Sequence, residues 1–149
     1  MTNLFLGHGW SSPLGVSPSG GIAMAAGPAD VEQSVRLILN TEPGERPMRP
    51  EFGCAVRDYV FDSFDFSTSA ALAQEVRRAL ERWEPRIVVD DVRVVRTVDH
   101  QEVVDIHVAY HLAGTNSPHN LVHPFYLIPT RNTTGQQTEP QRRDSNVSA

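Results

Sequence analysis

The sequence predicts an α+β domain: two main helices and a third short one packed on a small antiparallel sheet. Three observations carry this. Apolar residues recur at helical spacing over residues 31–39 and again over 72–83. Beyond residue 86 the period changes to two, with valine-rich segments that suit strands. Between the helical stretches lies a proline-rich, charged bend too structured in composition to read as a simple linker.

The elements follow in chain order. Residues 1–29 are rich in Gly, Ser and Pro, with Phe5, Leu6 and Trp10 dispersed among them; they read as an irregular arm lying against something. Asp30 is the expected N-cap of the first helix, with Gln33 at the capping-box position. Val31, Val35, Ile38 and Leu39 form its apolar stripe, and Asn40 and Thr41 end it. A short helix is expected after Gly53, with Val56, Tyr59 and Val60 on one face. A longer one follows Ser67, with Leu72, Val76, Leu80 and Trp83 on the inner side. Trp83 is expected in the core. Pro85 stops that helix, because it disfavours helical angles at Glu84 and lacks an N–H.

Ile87–Arg96 suits a strand. In the next segment Val104, Ile106, Val108, Tyr110 and Leu112 alternate with Val103, Asp105, His107, Ala109 and His111, the mark of a strand with one covered face. Residues 97–101 would connect the two. Residues 121–128 suggest a third strand, placed at an edge by Pro124 and Pro129, where open backbone groups could pair with another chain. From Thr130 onward the chain is polar and lacks a core-forming pattern, so residues 130–149 read as a disordered tail. The domain proper is expected over residues 30–129.

Composition narrows the function classes. The 149 residues carry a net charge of -5. Every basic residue is arginine, so the charge supplies planar forks for carboxylates rather than a diffuse lysine surface for nucleic acid. The single cysteine, Cys54, excludes an intrachain disulfide and a cysteine-rich metal site. No apolar run reaches transmembrane length, and the start lacks a signal-peptide pattern, so assembly in the cytoplasm is expected.

Catalytic and cofactor chemistry finds little footing. His107 and His111 share a strand face but stand about 13 Å apart along it. No HExxH, CxxC, GxGxxG or GxxxxGK spacing occurs. Asp90 and Asp91 would face opposite ways in a regular strand. No catalytic, cofactor-binding or metal-binding residue is therefore assigned. The sharper features are two stiff, charged bends. One contains Gly44, Glu45 and Arg46 and runs on to Phe52 and Gly53; the other is Glu84, Pro85 and Arg86. Arg86 can pair bidentately with a partner's carboxylate, or it can close an internal salt bridge at the helix-to-strand corner. On the docking reading, Arg86→Ala leaves the domain folded and abolishes assembly.

These motifs resemble the GPW/gp25-like family, the baseplate wedge proteins of contractile tails. The marks are Gly9-Trp10, Leu39-Asn40-Thr41, Pro43-Gly44-Glu45-Arg46, Phe52-Gly53, Trp83-Glu84-Pro85-Arg86-Ile87 and Pro124-Phe125-Tyr126-Leu127, running over residues 7–128. The resemblance implies a structural role and no enzyme activity. Its implied partners are the larger baseplate wedge proteins, the sheath protein and, further in, tube or spike-hub proteins, with about six copies per particle. The family's Glu-Pro-Arg motif falls on Glu84, Pro85 and Arg86 and its Pro-Gly-Glu-Arg loop on Pro43, Gly44, Glu45 and Arg46; both imply assembly contacts. Two other readings stand beside this one. A tail-borne cell-wall hydrolase would need paired carboxylates in a cleft, and a small regulatory adaptor would use the same fold to bind another protein.

Overall fold

A computed structural model describes residues 6–97 and 102–128. Two short strands, β1 (His8–Trp10) and β2 (Met24–Ala26), precede helix α1 (Pro28–Asn40). A single 3₁₀ turn, Ala55–Tyr59, leads to helix α2 (Phe66–Trp83). Strands β3 (Ile87–Arg96), β4 (Val103–Leu112) and β5 (Pro118–Tyr126) then form an antiparallel sheet in the order β3-β4-β5. The α+β expectation holds. Most of the expected 97–101 connection and the whole 130–149 tail lie outside the described residues.

The core lies between the helices and one face of the sheet. Val31, Val35 and Ile38 of α1 meet Leu72, Val76 and Leu80 of α2, with Ile106 and Val108 of β4 beneath them. Burying each such side chain stabilises the fold by about 1.5–3 kcal/mol. The strict alternation along β4 turns Val104, Ile106, Val108, Tyr110 and Leu112 inward, as its sequence predicts. Among the described residues nothing covers the sheet's opposite face.

Helix starts differ from the sequence expectation. α1 begins at Pro28 with Gly27 as N-cap, and no side chain caps it. Proline suits a first helical position, where the N–H would be unpaired anyway. Asp30 instead lies buried within the first turn, and Gln33 accepts the Ser12 N–H at 3.0 Å. α2 begins a residue before Ser67, capped by Asp65, whose carboxylate accepts the Thr68 N–H at 2.7 Å. The expected irregular arm holds an antiparallel ribbon: His8, Gly9 and Trp10 pair with Ala26, Ala25 and Met24. Three-residue strands are too short for periodicity to reveal.

A β-bulge interrupts β3. The register passes from Val89 opposite Tyr110 to Asp91 opposite Ala109, leaving Asp90 as the extra residue. The buried positions shift with it, from Ile87 and Val89 to Val92. Asp90 and Asp91 therefore both fall on the open face, correcting the expectation that they oppose each other. Asp90 holds His111 Nδ1 at 2.9 Å, and Asp91 accepts from Arg93 Nε at 2.6 Å.

The two sheet edges are unequal. Leu127 donates to Glu102, which fixes the alternation and turns the backbone groups of Pro118, Asn120, Val122, Pro124 and Tyr126 away from β4. Two of these are prolines without an N–H, and beyond them Ile128 already donates to Val60. The expected pairing edge at residues 121–128 is thus interrupted. At β3 the Thr97-to-Val103 and Ala113-to-Arg86 bonds set the same alternation. Arg77 of α2 occupies the outer carbonyls of Val89 and Asp90 at 2.9 and 3.1 Å. Past the bulge, the N–H and C=O groups of Val92, Val94 and Arg96 point outward without partners among the described residues.

Candidate partner-docking site

The first bend, residues 42–53, is a closed excursion. Cys54 donates to the Thr41 carbonyl at 2.9 Å, drawing the loop's ends together. Gly44 donates to Pro50 at 2.6 Å, and Glu45 turns back to accept the Glu42 N–H at 3.1 Å. Gly53 closes the neck at φ +123°, where a Cβ would collide with the Thr41 carbonyl. Glycine is required at that crossing. Arg49 and Phe52 donate to the carbonyls of Arg46 and Arg49, folding the loop on itself and aiming Phe52 at α2.

Phe52 then links the two bends. Its ring meets Trp83 edge-on, with centroids 5.2 Å apart, and the Arg46 guanidinium lies 4.6 Å over its face. Arg82 stacks 4.8 Å over Trp83. Trp83 is only partly buried: it packs on the core's rim and lines the surface, where the sequence suggested an interior residue.

The second bend is built around Arg86. Its Nε and one NH2 proton go to the two oxygens of Glu84, at 2.6 and 2.7 Å. Nη1 reaches Asp30 and the Leu6 carbonyl, both at 2.7 Å, and Nη2 reaches Ser34 at 3.0 Å. These acceptors match all five guanidinium N–H donors. Arg86 thus fastens the arm, α1 and the end of α2 to one point. The side chains of Asp30 and Glu84 are only 10% and 4% exposed. The bidentate contact with Glu84, aided by Asp30 and opposed by burial, pushes the Arg86 pKa further upward. Of the two arrangements open in the sequence, the internal salt bridge is present. The expected outcome for Arg86→Ala changes accordingly: two buried carboxylates would lose their counter-charge.

Both bends open onto one depression of about 420 Å³. Arg46, Phe52, Glu84, Pro85 and Arg86 line it, together with Trp83, Ser34, Leu37 and Ile38. The fold therefore unites five of the eight sequence-selected residues. Gly44 and Glu45 shape the loop behind Arg46, and Gly53 is buried at its neck. Sequence reasoning passed over Ser34, Leu37 and Asp30. Leu37 carried a signal, being a large apolar residue outside the α1 core stripe and exposed in the structure. Asp30 carried none, since its partner is 56 residues away.

Burial, with Glu75 adding to it, pushes the Cys54 thiol up to about 12. Among the described residues no group of His, Cys, Asp or Glu could hold a metal ion, and no helix is long and apolar enough to cross a membrane.

Sequence and fold comparisons define the class. The family model described as "Baseplate wedge protein gp25" matches residues 25–117, and the chain belongs to that family: it is a structural wedge protein of the contractile-tail baseplate type. The baseplate wedge protein gp25 of Enterobacteria phage T4 is 28% identical over 83 residues, 56% of this chain and 63% of the phage protein. The match thus spans somewhat less than two thirds of that relative. A chain in the six-fold symmetrised baseplate of the anti-feeding prophage is 29% identical with a TM-score of 0.69, covering 76% of this chain and 90% of that one. A Geobacter sulfurreducens protein described as a tail lysozyme candidate is 40% identical with a TM-score of 0.64, over 71% of this chain and 97% of its own.

Proposed function

We propose that this chain joins the larger wedge proteins of a contractile injection particle through the depression between its two bends, and presents the β3 edge to the first sheath subunits. The observation that carries the docking reading is convergence. Two charged, proline-stiffened segments some 40 residues apart in sequence meet in one concave, aromatic surface. Arg46 and Trp83 are residue types that dominate binding energy when a partner covers them, and Phe52 is of a type enriched at interface cores. Arg86 serves by holding Glu84, Pro85 and α1 in place. Val92, Val94 and Arg96 offer outward backbone groups at ladder spacing, the requirement for strand addition.

The reading as a tail hydrolase has less behind it. Of the carboxylates the fold gathers, Asp30 and Glu84 both accept from Arg86, and Asp91 and Asp90 are engaged by Arg93 and His111, an arrangement without the free acid that protonation of a leaving group needs.

Two variants separate the two surfaces. Arg46→Glu reverses an exposed charge that makes no ion pair among the described residues and gives up its contact over the Phe52 ring, so the core is left intact and the fold survives. Co-expressed with the particle's larger wedge proteins, R46E should lose co-purification. Val94→Pro, lacking the outward N–H, should still enter the wedge but yield baseplates without sheath. Normal wedge binding by R46E, or full sheath on V94P baseplates, would overturn the respective half of the reading.

A further inference from the structure

The arm before α1 carries an apolar surface that the fold does not use. Trp10 stands opposite Met24, and Val16 forms an antiparallel bridge with Ile22. Cross-strand partners share a face, and so do Ile22 and Met24, two residues apart. These four side chains therefore form one stripe, 65%, 55%, 79% and 51% exposed for Trp10, Met24, Val16 and Ile22. The opposite face of the ribbon is turned inward. Ala25 is buried there, and Gly9 lies so close to the Asp30 carboxylate that a Cβ would overlap it. The ribbon is thus fixed to α1 by one face and displays the other.

Resting on the docking reading above, we propose that this stripe is a second contact for the same wedge partner, taking an uncharged, apolar segment of it. Continuity of surface supports this. Asp30, Gln33, Ser34 and Leu37 follow one another along one side of α1 at helical spacing. The ribbon covers the first two, through Gly9 and through the Ser12 N–H bond to Gln33, while the last two line the depression. Ribbon and depression are neighbours on one helix face, and the Leu6 carbonyl ties the ribbon's root to Arg86. Size points the same way. The stripe presents on the order of 500 Å² of apolar surface, the size of the largest patch on a typical monomer, which is often functional. It falls short of the roughly 800 Å² per partner of a standard stable interface, so a dimer built on it alone would be undersized. Charge sets the partner's chemistry. Residues 6–29 contain no Asp, Glu, Lys or Arg, and His8, at the start of β1 on the same face as the stripe, is the one titratable side chain there, so a charge buried against the stripe would meet no permanent counter-charge.

The test uses the full chain with Trp10→Ser and Ile22→Ser combined, both at exposed positions, co-expressed with the particle's larger wedge proteins. Thermal unfolding of the free variant should match wild type. Its affinity for the wedge should fall roughly 30-fold, the scale of losing a hot spot. That ratio should be the same in about 0.05 M and about 0.5 M salt, whereas the effect of R46E should shrink as salt rises. Wild-type affinity in a folded W10S/I22S variant overturns this inference and leaves the depression reading standing. A wild-type chain that is dimeric alone and becomes monomeric in W10S/I22S also overturns it, making the occupant a second copy. Failure of the wild-type chain itself to bind the wedge sinks both proposals.

Discussion

Arg86→Ala offers the most direct measure of what the Glu-Pro-Arg corner does. The substitution deletes five hydrogen-bond donors at once and leaves Asp30 and Glu84 as buried carboxylates facing each other's environment without a cation. Breaking a buried ion pair from one side costs about 3–5 kcal/mol. The Arg86 side chain keeps 23% of its exposure, and water can partly reach the vacated site, so the lower end, about 3 kcal/mol, applies. A domain of this size has about 5–15 kcal/mol in total. The melting temperature should fall by about 10 °C. Urea unfolding followed by tryptophan fluorescence gives the free energy, with Trp83 as a reporter at the same corner. Arg86→Lys keeps the charge without the fork and should recover less than half of the loss. Arg86→Met combined with Glu84→Gln should cost less than Arg86→Ala alone, because one buried charge disappears with its partner. An Arg86→Ala protein as stable as wild type would refute the reasoning. The guanidinium would then be a docking group that the fold can do without.

Three further substitutions probe the loop, its neck and the sheet. Gly53→Ala forces a Cβ into the Thr41 carbonyl at a backbone angle that side chains avoid; it should cost about 2–3 kcal/mol, whereas Gly44→Ala, with open space around it, should cost about 1 kcal/mol in the same urea titration. His123 lies on the covered side of β5, where burial, helped by Arg36, lowers its pKa. The unfolded chain therefore takes up a proton near pH 6.5 that the folded chain refuses, so stability is full above that pH and declines as pH falls through it. His123→Leu should reduce the drop in melting temperature between about pH 7.5 and about pH 5.5; an unchanged drop would assign the effect to other groups.

Much of this molecule is local, and local features were legible. The stripe of Val31, Val35, Ile38 and Leu39 defines α1 because each residue faces its neighbour one turn away. The alternation in residues 103–112 announces a half-covered strand for the same kind of reason, with period two. Pro85 ends α2 by chemistry it carries within itself. Missed elements had no local period to offer: the three-residue ribbon strands, and the bulge that moves Asp90 and Asp91 to one face.

The sequence by itself determined the fold class, the order of the two main helices and the three sheet strands, and the two bends worth watching, because periodicity, proline and glycine act within a few residues. Tertiary structure alone decided that the bends share one surface, that Arg86 faces inward to Asp30 and Glu84, and that β3 rather than β5 keeps an open edge. Those outcomes depend on which distant groups compete for the same donors once the core has closed. A guanidinium and a carboxylate 56 residues apart leave no trace of their pairing in the order of the chain.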